Sequence, residues 1–213
     1  MTPTSAEGPE TFKHPSLPPL LRGVAAAPGD DPFRRAIAAA RADADPGQVV
    51  YAPARDRMAA ALVLAPEVPL TPALSVGLAV MLGLGDALGA LAPPEVAVHY
   101  EWPGTLRVNG GVCGRLRAAV PPGPPDDAPD WLVFGVEVPL APRAATEPGW
   151  TPEETCLLAE GCGEITAAAL LEAWARHTLY WIHRWEGDGF APVKRAWEAR
   201  AWGLRAPSGW QEA

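Results

Sequence analysis

The chain has 213 residues, 48% apolar and 20% charged, and a formal net charge of −8 from 25 acids against 17 lysines and arginines. That length suits one sizeable domain, and the acidic balance argues against a nucleic-acid surface, which needs basic groups to neutralise phosphates. Three cysteines, Cys113, Cys156 and Cys162, are too few and too irregularly spaced for a disulfide framework or a paired zinc site, so the plain reading is a reducing, cytoplasmic setting.

Residues 1–29 are rich in proline and scattered charge where a signal peptide would need an apolar core. They read as an extended arm, tied down through Leu17, Leu20 and Leu21, ahead of a domain expected over residues 30–206 and a tail at 207–213. Asp31 before Pro32 caps a helix running to about Asp43, with Phe33, Ile37 and Ala40 on one face. Gln48 to Ala52 and Met58 to Leu64 form a hairpin around the compact turn 53–57.

The stretch Ala73 to Leu91 is almost wholly apolar and nearly long enough to cross a bilayer. Asp86 inside it, four glycines suited to close helix contact, and Thr71-Pro72 as cap and first-turn proline favour a buried core helix. No membrane partner is expected. Four more strands follow: Val96 to Tyr100, Leu106 to Val108, Val112 to Val120 and Trp131 to Val138. Asn109-Gly110-Gly111 turns the middle pair, since Asn-Gly accepts positive φ cheaply, and the proline-rich run 121–129 is a surface loop. Thr166 caps a helix presenting Leu171, Trp174, Thr178, Ile182 and Trp185, ended by Gly187 and Gly189. Pro192 then opens a last helix, Ala191 to about Trp202, presenting Val193, Trp197 and Ala201. The pattern is α+β: a mostly antiparallel mixed sheet packed by helices.

The segment from Glu101 to Leu116, Glu-Trp-Pro-Gly-Thr-Leu-Arg-Val-Asn-Gly-Gly-Val-Cys-Gly-Arg-Leu, resembles a signature of the biotin/lipoate A/B protein ligase family. That signature reads Lys-Trp-Pro-Asn-Asp, a short spacer, Val-Asn-Gly and Lys-Val-Ala-Gly-Ile-Leu. The tail from Trp185 to Trp197, with Glu186-Gly187 and Phe190-Ala191-Pro192, is similar to the family's closing helices. The resemblance covers about residues 31 to 204. It implies the class II aminoacyl-tRNA synthetase/biotin protein ligase-like fold, a small acyl ligand such as biotin, lipoate or octanoate, ATP as co-substrate, and a carrier-protein lysine as acceptor.

Three departures bear on that chemistry. Glu101 stands where the family's lysine offsets the charge of the acyl carboxylate and α-phosphate, and a carboxylate there repels both. Gly104-Thr105 replaces the Asn-Asp pair implicated in nucleotide and metal binding. The short turn 53–57, with Arg55 and Arg57, replaces the long Gly-Arg loop that covers the adenylate. The resemblance places a ligand pocket between the sheet and the inserted helix, walled by Trp102, Asn109, Val112, Cys113, Gly114 and Leu116. Cys113 there is a candidate acyl-thioester nucleophile, with His99 as possible cross-strand neighbour, against the alternative of a small buried hydrophobe.

No metal site is expected: Cys156 and Cys162 lack further ligands, and His177 and His183, six residues apart, lie on different helix faces. Two readings remain open, a divergent acyl-binding or acyl-transferring protein and an interaction module that kept the fold.

Overall fold

The computed structural model describes residues 12–142 and 153–203; the expected tail at 207–213 lies outside them. The described strands, β1 (Arg22–Ala25), β2 (Gln48–Tyr51), β3 (Arg57–Leu64), β4 (Val98–Glu101), β5 (Thr105–Val108), β6 (Gly111–Ala119) and β7 (Leu132–Pro139), join in one sheet ordered β1-β2-β3-β7-β6-β5-β4. β1 runs parallel to β2 and every other pairing is antiparallel. This is the α+β, mostly antiparallel arrangement that the sequence implies. β1 falls within the arm, where no strand was expected, because its four largely exposed residues are too few to display an alternation.

The helices divide between the two faces. α1 (Pro32–Arg41) starts as the sequence predicts, with the Asp31 side chain accepting from Phe33 N–H. It covers one face over Val50, Ala61, Val63 and Val133. The other face, carrying Met58, Ala60, Leu62, Phe134 and Val136, is covered by α3 (Val76–Leu91) and α4 (Ala167–Asp188).

α3 owes its glycines to this position. A Cβ on Gly77 would lie 2.9 Å from the Phe134 ring, one on Gly85 would strike the Tyr100 ring, and one on Gly83 would come within 2.7 Å of the Thr178 backbone nitrogen on α4. Sheet and neighbouring helix therefore both approach the α3 backbone where a side chain is missing. The span Leu70–Leu91 is long and apolar enough to cross a membrane, yet most of it is buried inside the protein. Asp86 is used there too, accepting from Trp181 Nε1 at 2.6 Å and pairing with Arg200 at 2.8 Å.

Two helix boundaries differ from expectation. Thr71 is not a cap: the short helix α2 (Leu70–Leu74) begins after Pro69 without a side-chain cap. The chain then breaks at Ser75, whose hydroxyl donates to Pro72 O and accepts from Trp185 Nε1. At the other end α5 (Phe190–Glu198) stops short of Trp202, because residues 200–202 leave the helix and run beside β4. Thr166 does cap α4, accepting from Ala169 N–H, and Gly189 ends it at φ 77°.

Candidate functional site

The Glu101 carboxylate is not an isolated negative charge. Arg107, its neighbour on the hairpin, donates from Nε to Glu101 Oε2 at 2.7 Å and from a terminal nitrogen to Gly110 O at 2.7 Å. The Trp202 ring lies under the guanidinium, 5.2 Å from its centroid. The arginine is nearly buried, at 13% exposure, so ion pair, carbonyl and ring together fix its head.

The six residues expected to wall a pocket lie in the β4–β5 and β5–β6 turns and along β6. Trp102 is 70% exposed and packs edge-on against Trp197. Asn109 sits in the turn at φ 49°, where its side chain accepts from Ala97 N–H and donates to Glu160. Val112 pairs through its backbone with Glu153 and Thr155. Leu116 packs against Gly77 on the α3 side, while Gly114 is closed over by Leu106 and the Glu137 carbonyl.

Cys113 is the extra residue where β6 slips against β5. It is fully buried, and burial pushes its thiol up to about 12, with Cys156, Glu160 and Cys162 adding to the effect. A thiol so held stays neutral and is a poor nucleophile. His99 gives no help, because β5 lies between β4 and β6 and the two backbones stand roughly 9–10 Å apart. Burial of the thiol favours the alternative of a small buried hydrophobe.

A cavity of about 440 Å³ opens on the opposite face, the one covered by α1. Strand register explains why. Glu101, Thr105, Arg115, Glu137 and Ala59 are successive cross-strand partners, so all share this face, with Arg117 one pleat further along β6. The cavity is lined by Gly29 to Pro32 at the start of α1, by Asp56 of the β2–β3 turn and Arg57 at the start of β3, and by Ala59, Arg117, Glu137, Pro139 and Ala141. None of the six expected wall residues lines it.

Several of its polar groups are bound to one another. Both terminal nitrogens of Arg117 donate to the two oxygens of Asp31, at 2.8 and 2.9 Å, and its guanidinium stacks on Phe33 at 4.5 Å. Phe33 in turn lies against Gly135, where a Cβ would fall 2.5 Å from the ring. The Arg117 bonds hold the Asp31 carboxyl below its ordinary range against the opposing effect of burial. Arg57 stands 3.6 Å from Asp56, and Arg115 3.2 Å from Glu154. Arg57, Arg107, Arg115 and Arg117 thus each contact a carboxylate. Among the described residues, no group of three or more His, Cys, Asp or Glu side chains is arranged to hold a metal ion.

A further departure was missed in the sequence. Gly111 occupies the signature's second lysine, directly after Val-Asn-Gly. A Cβ there would lie 2.7 Å from the Thr155 methyl group, so the segment 153–155 packed on β6 takes the space of any side chain. The signal is in the motif itself, where Gly111 follows Val108-Asn109-Gly110.

The model of the biotin/lipoate A/B protein ligase family matches residues 17–199. A biotin–[acetyl-CoA-carboxylase] ligase from Paracoccus denitrificans is 33% identical over 151 residues, 70% of this chain, which spans 62% of that relative's length. A biotin protein ligase-like protein of unknown function from Silicibacter sp. tm1040 superposes with TM-score 0.82 at 50% identity, over 88% of this chain and 81% of the other. The biotin protein ligase of Aquifex aeolicus shares the fold, with TM-score 0.70 at 13% identity over 85% and 78% of the two chains. So does that of Leishmania major in complex with biotinyl-5-AMP, with TM-score 0.58 at 17% identity over 92% and 87%. By sequence and by fold, the chain belongs to the biotin/lipoate A/B protein ligase family.

Proposed function

We propose that this protein binds a small biotin-, lipoyl- or octanoyl-type molecule on the α1 face of its sheet and does not run ATP-dependent ligation. The observation that carries this reading is the electrostatic state of that face. The cavity is lined by four carboxylates, Asp30, Asp31, Asp56 and Glu137, against two arginines. Arg57 and Arg117 both contact a carboxylate, as do Arg107 and Arg115 beyond the cavity. A triphosphate, with several negative charges, would meet far more of this repulsion than a ligand carboxylate with one, and would have to break existing ion pairs before finding a cation. Glu101, in place of the first signature lysine, removes the cation that would stabilise a forming mixed anhydride, and Gly111 leaves no cation at the second.

The volume supports a ligand nonetheless, since about 440 Å³ lies in the range of small-molecule sites. The acyl character of that ligand, and a carrier-protein lysine as partner, rest on the family. Exposed aromatic side chains at Trp102, Tyr180, Phe190 and Trp202 favour the second reading, an interaction module built on the same fold.

Two assays separate these readings. ATP-pyrophosphate exchange with biotin, lipoate or octanoate should stay at background, and ATP-dependent loading of a carrier lysine would overturn the proposal. Thermal stabilisation by one of the three without ATP, near 2.7 kcal/mol at about a hundredfold excess over Kd, supports the binder. Its loss in Ala59→Trp would place the ligand in this cavity. No stabilisation by any of them favours the interaction module.

A further inference from the structure

One carboxylate is already bound in the cavity, and it belongs to the chain itself. Asp31 Oδ1 accepts from Phe33 N–H at 2.9 Å and from one terminal nitrogen of Arg117 at 2.8 Å, while Oδ2 accepts from the other at 2.9 Å. The receiving fork is preformed, because the Arg117 guanidinium stacks on Phe33, whose ring is seated on Gly135. A planar fork held by a ring fits any carboxylate, from this chain or from a small molecule. We propose that Asp31 is the resident stand-in for a ligand's carboxylate at Arg117, and that a free acid enters the cavity by replacing it there. This deepens, and rests on, the reading of the cavity as a site for a small acyl molecule.

Arg117 suits this exchange better than Arg57, the other arginine of the cavity. Arg57 stands 3.6 Å from Asp56, too far for a hydrogen bond, so that pair does not seat a carboxylate in the fork. Replacement at Arg117 swaps one carboxylate for another and leaves the guanidinium paired, which avoids the cost of a stranded charge. The released Asp31 has a second cation at hand, Arg34, 4.0 Å from its Oδ2 and 88% exposed. Ala59, Pro139 and Ala141 supply apolar wall for the acyl chain. Ligand affinity is then reduced by the fraction of chains in which Asp31 holds the fork. A free acid is also selected over its amide, which brings no charge to the guanidinium.

The test titrates octanoate, biotin and lipoate, each beside its primary amide, into the full-length wild type, Asp31→Asn, Arg117→Gln and Asp56→Asn, and reads Kd from thermal stabilisation. Asparagine keeps an oxygen for Phe33 N–H, so α1 stays capped in Asp31→Asn. That variant should bind the free acid several-fold more tightly than the wild type and its amide no differently. Arg117→Gln should weaken the acid several-fold and its amide little; Arg117→Lys, which keeps the charge and loses the fork, serves in its place if the first does not fold. Asp56→Asn removes the same charge away from Arg117 and should leave the acid's Kd near the wild-type value. Equal tightening by Asp56→Asn and Asp31→Asn overturns the proposal, as does an Asp31→Asn variant with unchanged affinity, and both results leave the acyl-binding reading standing. Failure of every acid to bind either the wild type or Asp31→Asn removes that reading and the proposal with it.

Discussion

Arg107 changes what a single substitution at position 101 can achieve. Glu101→Lys would restore the family's residue in name, yet it would set an ammonium against a guanidinium now 2.7 Å from the carboxylate it replaces. We expect this variant to lose about 1 kcal/mol by urea denaturation, a modest figure because Glu101 is partly exposed, and to gain no pyrophosphate exchange. Cys113 offers a second check at this scale. Its thiol is raised from 9.0 to about 12 in the folded chain, so unfolding releases a proton wherever the pH lies between those values. The stability this contributes is complete below pH 9 and is lost as the pH climbs toward 12. Unfolding midpoints should therefore fall more steeply between pH 8 and 10.5 in the wild type than in Cys113→Ala, and iodoacetamide should leave Cys113 unmodified in native protein at pH 8.

Among the elements, α3 gives the sharpest contrast. Gly83→Ala places a methyl group within 2.7 Å of the α4 backbone at Thr178, which must shift, and should cost about 2–3 kcal/mol. Gly89→Ala, on the same helix with nothing within 4 Å, should be neutral or stabilising by up to about 1 kcal/mol, measured in the same denaturation series. Most elements were legible because apolar spacing announces them: α1 with Asp31-Pro32, α4 with Thr166, and the β5–β6 hairpin with Asn109-Gly110 all formed as expected. β1 was not, since its four residues carry no pattern and its register comes from β2. The break at Ser75 was equally invisible, because the groups it satisfies, Pro72 O and Trp185 Nε1, include one 110 residues away.

For the molecule as a whole, the tie between Asp31 and Arg117 joins the start of α1 to β6 across the cavity. Asp31 titrates below its ordinary 3.8 in the folded chain, so its contribution is present above that value and fades as acidification passes the folded one. Arg117→Ala should flatten the acid limb of the stability curve below about pH 4, read by tryptophan fluorescence. The cavity itself was hidden from the sequence for a reason of parity. The signature runs along β6, and successive side chains of a strand face opposite ways, so Leu116 faces α3 while Arg115 and Arg117 share the α1 face, where Arg117 lines the cavity. Its remaining walls, from residues 29–32, 56–59 and 137–141, are distant in the chain and carry no motif that links them.

The burial of α3 also has a cost during synthesis. Leu70–Leu91 is covered largely by α4, which begins only at Ala167. At roughly 5–20 residues per second, a ribosome leaves this oily segment without its cover for about 4–15 s. A nascent chain in that interval presents an apolar segment of membrane-spanning length without its later packing partner.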